Sequence, residues 1–433
     1  MVIVDTALAR REQENHPIRV GLVGAGYMGR GIALQLLRPL TGMRLAAISN
    51  RTVSKAEDAV RGAGIERFRR VSSVPQLEEA IEQNICSVTD DATLLCDAEN
   101  IDIIVDATSD PEYGAMVALR AIEQGKHIVL NASLDATVGP ILKRYADRNG
   151  VIATYTDGDE PGVAANLFRF VKSIGFQPVA AGNLKGMLDP YRTPETQRAF
   201  ADRVKQSPTM ITSYADGTKL SIECTILANT TGLKPGKRGM YGPRCAHVRE
   251  AGKLFPPDQL LAGGLVDFLL GAEPGTGAFV VAYNENPACS EYLSYLKMGD
   301  GPFYTFYTPF HLPHLQVLNT IARAVLFRDP TTSPLGKPVC DVVTTAKRDL
   351  KAGETLDEMG GFTFYGMIDT AEIVQQEGLL PVGLAEGCRL KRNIAKDQSI
   401  SYRDIEVPAG RLCDKLRAEQ DECFFPKVAT AQA

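Results

Sequence analysis

Several signals that would define a protein class are scarce or missing in this chain. Its nine cysteines, at 86, 96, 224, 245, 289, 340, 388, 413 and 423, contain no CxxC pair. A scattered, odd set argues against a disulfide scaffold and a thiolate zinc site, and it suits a reducing compartment. Charge of one sign is also scarce. A formal net charge of −5 does not mark nucleic acid or an anionic membrane as the partner. No stretch approaches the ~20 uninterrupted apolar residues of a membrane span. The opening MVIVDTALARREQENHPIRV has only a short apolar run before its charges, so no signal peptide is expected and the cytoplasm is the expected address. The chain has 433 residues, 44% hydrophobic and 23% charged, enough for two or three domains with a core of good size. A small molecule is the expected partner.

The first 156 residues carry an alternating pattern. Apolar runs at 18–24, 43–49, 101–107, 127–130 and 151–154 read as buried parallel strands. Helical spacing follows the first two strands. Asp110-Pro111 caps a third helix, and a fourth covers 134–148. Strands alternating with helices predict an α/β, doubly wound parallel sheet of Rossmann type. Residues 66–97 read as extra helical material inserted into it.

Gly24-Ala25-Gly26-Tyr27-Met28-Gly29 ends the first strand and opens the first helix. In that context Gly24 permits the tight turn, Gly26 lets backbone approach a pyrophosphate, and Gly29 lets helix and strand pack closely. The amides of the helix start, with those of Tyr27 and Met28, then face the phosphates. A tight structural turn is the plain alternative. The second strand ends in Ser49-Asn50-Arg51-Thr52, without the acid that usually binds a ribose 2′-hydroxyl. Arg51, helped by Asn50, suits a 2′-phosphate instead, so NADPH is the expected cofactor. Thr108 and Ser109 after the third main strand, and Asn131 after the next, are placed to line the nicotinamide side or to cap helices.

From about 157 the pattern changes. Asp157, Asp159 and Glu160 crowd the start of a helix predicted at 161–174. Hard oxygen ligands of this kind suit Mg²⁺ or Mn²⁺, but acids also cap helix starts. Further helices are predicted at 194–205 and 218–231, with strands near 178–188 and 277–284. Asp216 is positioned to cap the 218–231 helix, on which Lys219 and Glu223 lie four residues apart on one face. Such a lysine either moves a proton in a cleft or forms an exposed salt bridge. Residues 232–239, with Lys234, Lys237 and Arg238, and Arg244 nearby, form a glycine-rich basic loop. It either folds over an anionic substrate or stays solvated. His311 and His314 lack a third ligand and read as core or capping residues.

Residues 313–328 read as an amphipathic helix returning to the first domain. TTSPLGKP (331–338) reads as a linker, and 339–412 as short β runs. The expected domains are therefore 1–156 with a return helix at about 313–330, a catalytic and dimerisation domain over 157–312, and a small β-rich domain with a tail over 331–433.

The motif ADGTKLSIECTILAN, with Asp216 and Lys219, together with DGDEPG (157–162), resembles the homoserine dehydrogenase-like family. AKRDLKAGETL and LAEGCRLKRNIAKDQSI resemble a SAF module, a small β-clip fold. Two departures stand out. Asn131-Ala132 lacks the lysine that homoserine dehydrogenases carry after that strand, and the Asp-to-Lys spacing is one residue shorter. The whole arrangement resembles the deoxyxylulose-5-phosphate reductoisomerase-like group. That resemblance implies a homodimer that uses NADPH and a divalent cation to turn 1-deoxy-D-xylulose 5-phosphate into 2-C-methyl-D-erythritol 4-phosphate. It implies Lys219, Asp216, Lys185 and Glu223 as catalytic groups. Asn229, Lys234, Lys237, Arg238 and Arg244 would hold the phosphorylated sugar. A homoserine dehydrogenase, or an NADPH-binding sensor without turnover, are the competing expectations.

Overall fold

The computed structural model describes residues 3–426, so the first two residues and the end of the expected tail lie outside the described residues. The chain forms two compact units. One holds residues up to 159 together with 312–333, and the other holds 160–311 together with 334 onward.

The first unit is built on a seven-stranded parallel sheet. Its strands are β1 (Ile18–Val23), β2 (Met43–Ser49), β3 (Arg69–Arg70), β4 (Ser87–Thr89), β5 (Ile103–Asp106), β6 (His127–Val129) and β7 (Ala153–Thr154), in the order β3-β4-β2-β1-β5-β6-β7. Val20, Leu22, Ile48, Ile103 and Val105 are buried, as strands covered on both faces require. The strand order reverses between β1 and β5. In sheets of this kind ligands bind at the carboxyl ends of the strands beside such a switch point.

Residues 66–97 do carry helices, Val74–Glu82 and Ala92–Asp97, but also β3 and β4, which extend the sheet beyond β2. The expectation of purely helical insertion is corrected here. Ser87–Thr89 is only three residues long, too short to display a period. The return helix forms over Pro313–Ala322 and packs Val317 and Ile321 against Ile32, Ala33 and Leu36. Its His314 lies against Gly31, where an added Cβ would stand 2.9 Å from the imidazole.

The second unit has a mixed four-stranded sheet, with β8 (Gln177–Lys185), β9 (Leu265–Leu270), β10 (Ala278–Tyr283) and β11 (Phe303–Thr308) in the order β11-β10-β8-β9. The helices Glu160–Ser173 and Thr218–Thr231 join one hydrophobic cluster with Ala181, Val266 and Val280. Val248, Phe255 and Leu260 pack with Val179, Leu269, Phe279 and Val281 in another. Alternate residues of β10 fall in different clusters, which is the period-two alternation of a strand covered on both faces. Every residue from Leu220 to Asn229 is buried. A helix buried nearly all round belongs in a core, and its buried polar groups there need partners. The antiparallel pairs β12 (Cys340–Ala346) with β13 (Phe364–Thr370), and β14 (Arg389–Leu390) with β15 (Ile405–Glu406), belong to this same unit. Among the described residues no helix is long and apolar enough to cross a membrane.

Candidate active site

In the first unit the glycine turn is held by backbone geometry. Gly24 has φ +101°, a conformation L side chains rarely adopt, and its N–H donates to the Ser49 carbonyl at 2.8 Å. A Cβ on Gly29 would stand 2.0 Å from the Gly24 carbonyl oxygen, so that position has no room for a side chain. A Cβ on Gly26 would meet nothing within 4 Å. Protein packing therefore explains Gly24 and Gly29 but not Gly26, whose bare backbone faces open space. The helix Tyr27–Leu36 begins without a side-chain cap, which leaves its first amides to an outside acceptor. These residues fit a pyrophosphate.

Asn50 braces the turn. Its Oδ1 accepts from the Ala25 N–H at 3.0 Å and its Nδ2 donates to the Thr52 carbonyl at 2.9 Å. Both ends of the amide are thus engaged, and Arg51 beside it is exposed. Across the switch point, Ala107 and Thr108 lie against Gly24. Asp106 organises this rim. It accepts from the Thr108 N–H at 2.9 Å and from Asn131 Nδ2 at 2.6 Å, and burial holds its carboxyl above the usual range. Asn131 Oδ1 caps the helix Ala132–Arg148 through the Leu134 N–H. Asn131 is thus a structural cap bonded to Asp106. Ser109 lies on the same loop, just before the Asp110 cap.

The three carboxylates expected to hold a cation have other partners. Asp157 pairs with the buried Arg323 at 2.6 Å and accepts from Thr331 Oγ1 at 2.8 Å and Thr320 Oγ1 at 3.1 Å. Asp159 accepts from the Tyr155 hydroxyl. Glu160 faces Lys185 in the second unit. Asp157 does not fit a divalent cation, because its carboxylate is already neutralised by Arg323, whereas Glu160 has a carboxylate oxygen within 4.8 Å of a His311 ring nitrogen, near enough for both to hold one.

In the second unit four charged side chains converge. Lys185, the last residue of β8, reaches Glu160 at 2.8 Å and Glu223 at 3.3 Å. Lys219 reaches Glu223 at 2.8 Å along its helix face. Asn183, two residues before Lys185 and so on the same face of β8, donates to Glu223 at 2.7 Å. Glu160, Glu223 and Asn183 are buried, so the Lys219–Glu223 pair is no exposed salt bridge. Burial opposes charge on Glu223, yet Lys185 and Lys219 overcome it and hold the carboxyl well below the ordinary range. Burial likewise opposes the Lys185 charge, and Glu160 and Glu223 outweigh it and hold the ammonium above its ordinary range. The cluster holds two ammonium and two carboxylate groups in a water-poor pocket. Such an arrangement can donate or accept a proton at a polar substrate atom.

Other expected site residues have different partners. Asp216 pairs with Lys347 at 2.9 Å and takes the Thr218 N–H at 2.9 Å. Burial raises its carboxyl even though Lys347 counters the shift. Asn229 Oδ1 accepts from the backbone of Val339 and Cys340 at 2.8 and 3.0 Å. Arg238 is bound to Asp369 at 2.6 Å and Glu377 at 2.9 Å, so its fork is directed at protein carboxylates. Lys234 stands 3.9 Å from Glu372, and Lys237 lies over the Tyr241 ring. Arg244 pairs with Leu270 through its backbone, in a parallel β-bridge.

The basic loop itself is fixed in place. Buried Asp267 accepts from the Tyr241 and Gly242 amides, and Gly239 donates to the Ile368 carbonyl. Burial pushes the Asp267 carboxyl up to about 6. These bonds tie the end of the loop and the residues that follow it to the rest of the unit. Sequence reading also missed Asn183, Arg323 and Lys347. Only the β-strand alternation of Asn183 with Lys185 offered a signal for any of them.

Two family models match consecutive stretches of the chain. Residues 18–155 match "Oxidoreductase family, NAD-binding Rossmann fold", and residues 158–317 match "Oxidoreductase DRL, catalytic domain". An NAD(P)-binding Rossmann fold of oxidoreductase type is therefore followed by a catalytic domain of oxidoreductase type. Among curated relatives, a homoserine dehydrogenase of Neisseria gonorrhoeae is 27% identical over 216 residues, 47% of this chain and 44% of the relative. Inositol 2-dehydrogenase 4 of Saccharopolyspora erythraea is 32% identical over 111 residues, 26% of this chain and 27% of the relative. The chain thus spans less than half the length of these curated relatives. Among solved structures, a probable dehydrogenase from Thermotoga maritima aligns with TM-score 0.42 and 13% identity, covering 72% of this chain and 90% of that one. A myo-inositol dehydrogenase from Lactobacillus casei aligns with TM-score 0.39 and 16% identity, covering 73% and 89%.

Proposed function

We propose that this chain is an NADPH-dependent oxidoreductase of a small, phosphorylated carbonyl substrate. The narrower reading is conversion of 1-deoxy-D-xylulose 5-phosphate to 2-C-methyl-D-erythritol 4-phosphate. The observation that carries the general reading is the buried Glu160–Lys185–Glu223–Lys219 cluster, in a chain that also has a dinucleotide turn. The narrower substrate rests on the family resemblance set out above.

When bound, the reduced nicotinamide supplies a hydride to a carbonyl carbon. The carbonyl oxygen gains charge in that step and needs a proton. Lys219, with a side chain 19% exposed and Glu223 fixing its position, is assigned the proton. Lys185 is held by two carboxylates and is assigned to stabilising the developing oxyanion. Asn183 and Glu160 fix the partners of these two groups. Arg51 is assigned to the 2′-phosphate of the cofactor.

The test is NADPH oxidation by purified protein with 1-deoxy-D-xylulose 5-phosphate and, in parallel, with aspartate semialdehyde, each with and without Mn²⁺. Oxidation with the sugar phosphate alone supports the narrow reading. Oxidation with the semialdehyde alone replaces it with homoserine dehydrogenase, a reading favoured by the 27% identity to such enzymes. Saturable NADPH binding without turnover of any carbonyl compound would mark a sensor and end the enzymatic reading.

A further inference from the structure

The helix that carries Lys219 and Glu223 begins in an unusual way. Its N-cap is Gly217, at φ +90° and without a side chain to cap the first amides. Asp216 supplies the missing acceptor, taking the Thr218 N–H on Oδ1. Its other oxygen is taken by Lys347, which lies 131 residues away along the chain, just past β12. The ammonium of Lys347 also donates to the carbonyls of Arg192 at 2.9 Å and Gly361 at 2.8 Å. An ammonium has three protons, and here all three have acceptors. Lys347 therefore has no donor left for a ligand. The side chains of the pair are 3% and 0% exposed, so solvent does not substitute for either.

The same region of chain grips the helix along one stripe. The Gly366 N–H donates to Thr218 Oγ1, Ser221 Oγ donates to the Gly366 carbonyl, and Asn229 accepts from Val339 and Cys340. Positions 218, 221 and 229 share one face at helical spacing, and 219 and 223 lie roughly 130° round from it. The gripped stripe thus leaves the proton-handling stripe pointing at β8, where Lys185 and Asn183 stand.

We propose that Lys347 is a positioning residue: through Asp216 it fixes the start and rotation of the Thr218–Thr231 helix and so aims Lys219 at Glu223 and the substrate carbonyl. This deepens the proposed function and rests on it for the role of Lys219. It also reassigns Asp216 from proton chemistry to anchoring, and gives residues 339–366 a task in the site.

Lys347→Met alone leaves a buried carboxylate unpaired and can fail to fold, so the informative protein is Lys347→Met/Asp216→Asn, which removes both charges together. Its folding is checked by thermal unfolding and by NADPH affinity. The first readout needs no substrate: the rate of trace acetylation at Lys219 against pH, followed by peptide mass spectrometry. The double variant is expected to label Lys219 roughly tenfold faster at neutral pH, with its midpoint moved down, because the lysine is no longer held on Glu223. The second readout is turnover on whichever of the two carbonyl substrates is oxidising NADPH. The expectation is a kcat loss of about 10–100-fold with KM changed less than about threefold, and partial recovery in Lys347→Arg. A folded double variant with the parental labelling profile overturns the inference. Parental turnover in Lys219→Ala would instead sink the proposed function, while the labelling profile still judges Lys347.

Discussion

The dinucleotide turn and the ion cluster are built in opposite ways. The turn is made of backbone, and its six residues are consecutive. Gly24 is fixed by its positive φ and by Ala107 and Thr108 beside it, Gly29 by the Gly24 carbonyl, and Gly26 by the space left in front of it. The cluster is made of side chains from two helices and a strand, and almost every polar atom in it has a partner. A backbone site tolerates change around it, because main-chain amides sit at every residue. A side-chain cluster does not, because removing one charge leaves a buried partner uncompensated, at a cost of about 3–5 kcal/mol. The comparison teaches that binding and chemistry in this chain are expected to fail separately.

The sharpest break is at the cluster. Lys219→Ala is expected to lower kcat by about 10²–10⁴-fold while NADPH affinity in a direct titration stays within about twofold. Glu223→Gln is expected to be as damaging and also less stable, since it leaves Lys185 and Lys219 facing one carboxylate instead of two. Loss of NADPH affinity in Lys219→Ala would erase the distinction between the two regions.

A smaller effect concerns pH. Asp135, buried at the start of the Ala132–Arg148 helix, has its carboxyl pushed up to about 7 by burial. Between the unfolded value of 3.8 and about 7 the folded chain holds a proton that the unfolded chain releases. Asp135 thus contributes its full stability below about pH 4 and loses it as pH rises to 7. Asp135→Asn is expected to gain on the parent by a few kcal/mol between pH 4 and 8, measured by urea unfolding at several pH values. A constant difference across that range would show that Asp135 ionises normally.

Two substitutions then sharpen the comparison inside the turn. Gly29→Ala forces a Cβ onto a carbonyl 2.0 Å away and is expected to cost about 1–3 kcal/mol of stability as well as the cofactor. Gly26→Ala meets no protein atom, so it is expected to leave unfolding unchanged and weaken NADPH about tenfold or more. Equal destabilisation by both would mean that Gly26 is structural. The smallest effect is expected at the exposed Arg51. Arg51→Ala should weaken NADPH about tenfold and NADH hardly at all, compared by fluorescence titration. Equal weakening would remove the 2′-phosphate from its role.

The amino-acid order alone determined the Rossmann region, because its evidence is local. A buried strand, three glycines at fixed offsets and a helix start all fall within residues 18–36, and each acts through its own backbone. It also marked Lys219, Glu223 and Lys185 as candidates. Which partners those residues meet was decided by tertiary structure. Asp216 and Lys219 stand three apart in the chain, yet one turns to Lys347 and the other to Glu223. Asp157 and Glu160 are equally near neighbours, yet their cations come from Arg323 and Lys185. A carboxylate's role is set by which cation reaches it in the low-dielectric interior, and those cations arrive here from 25 to 166 residues away. No local pattern carries that information.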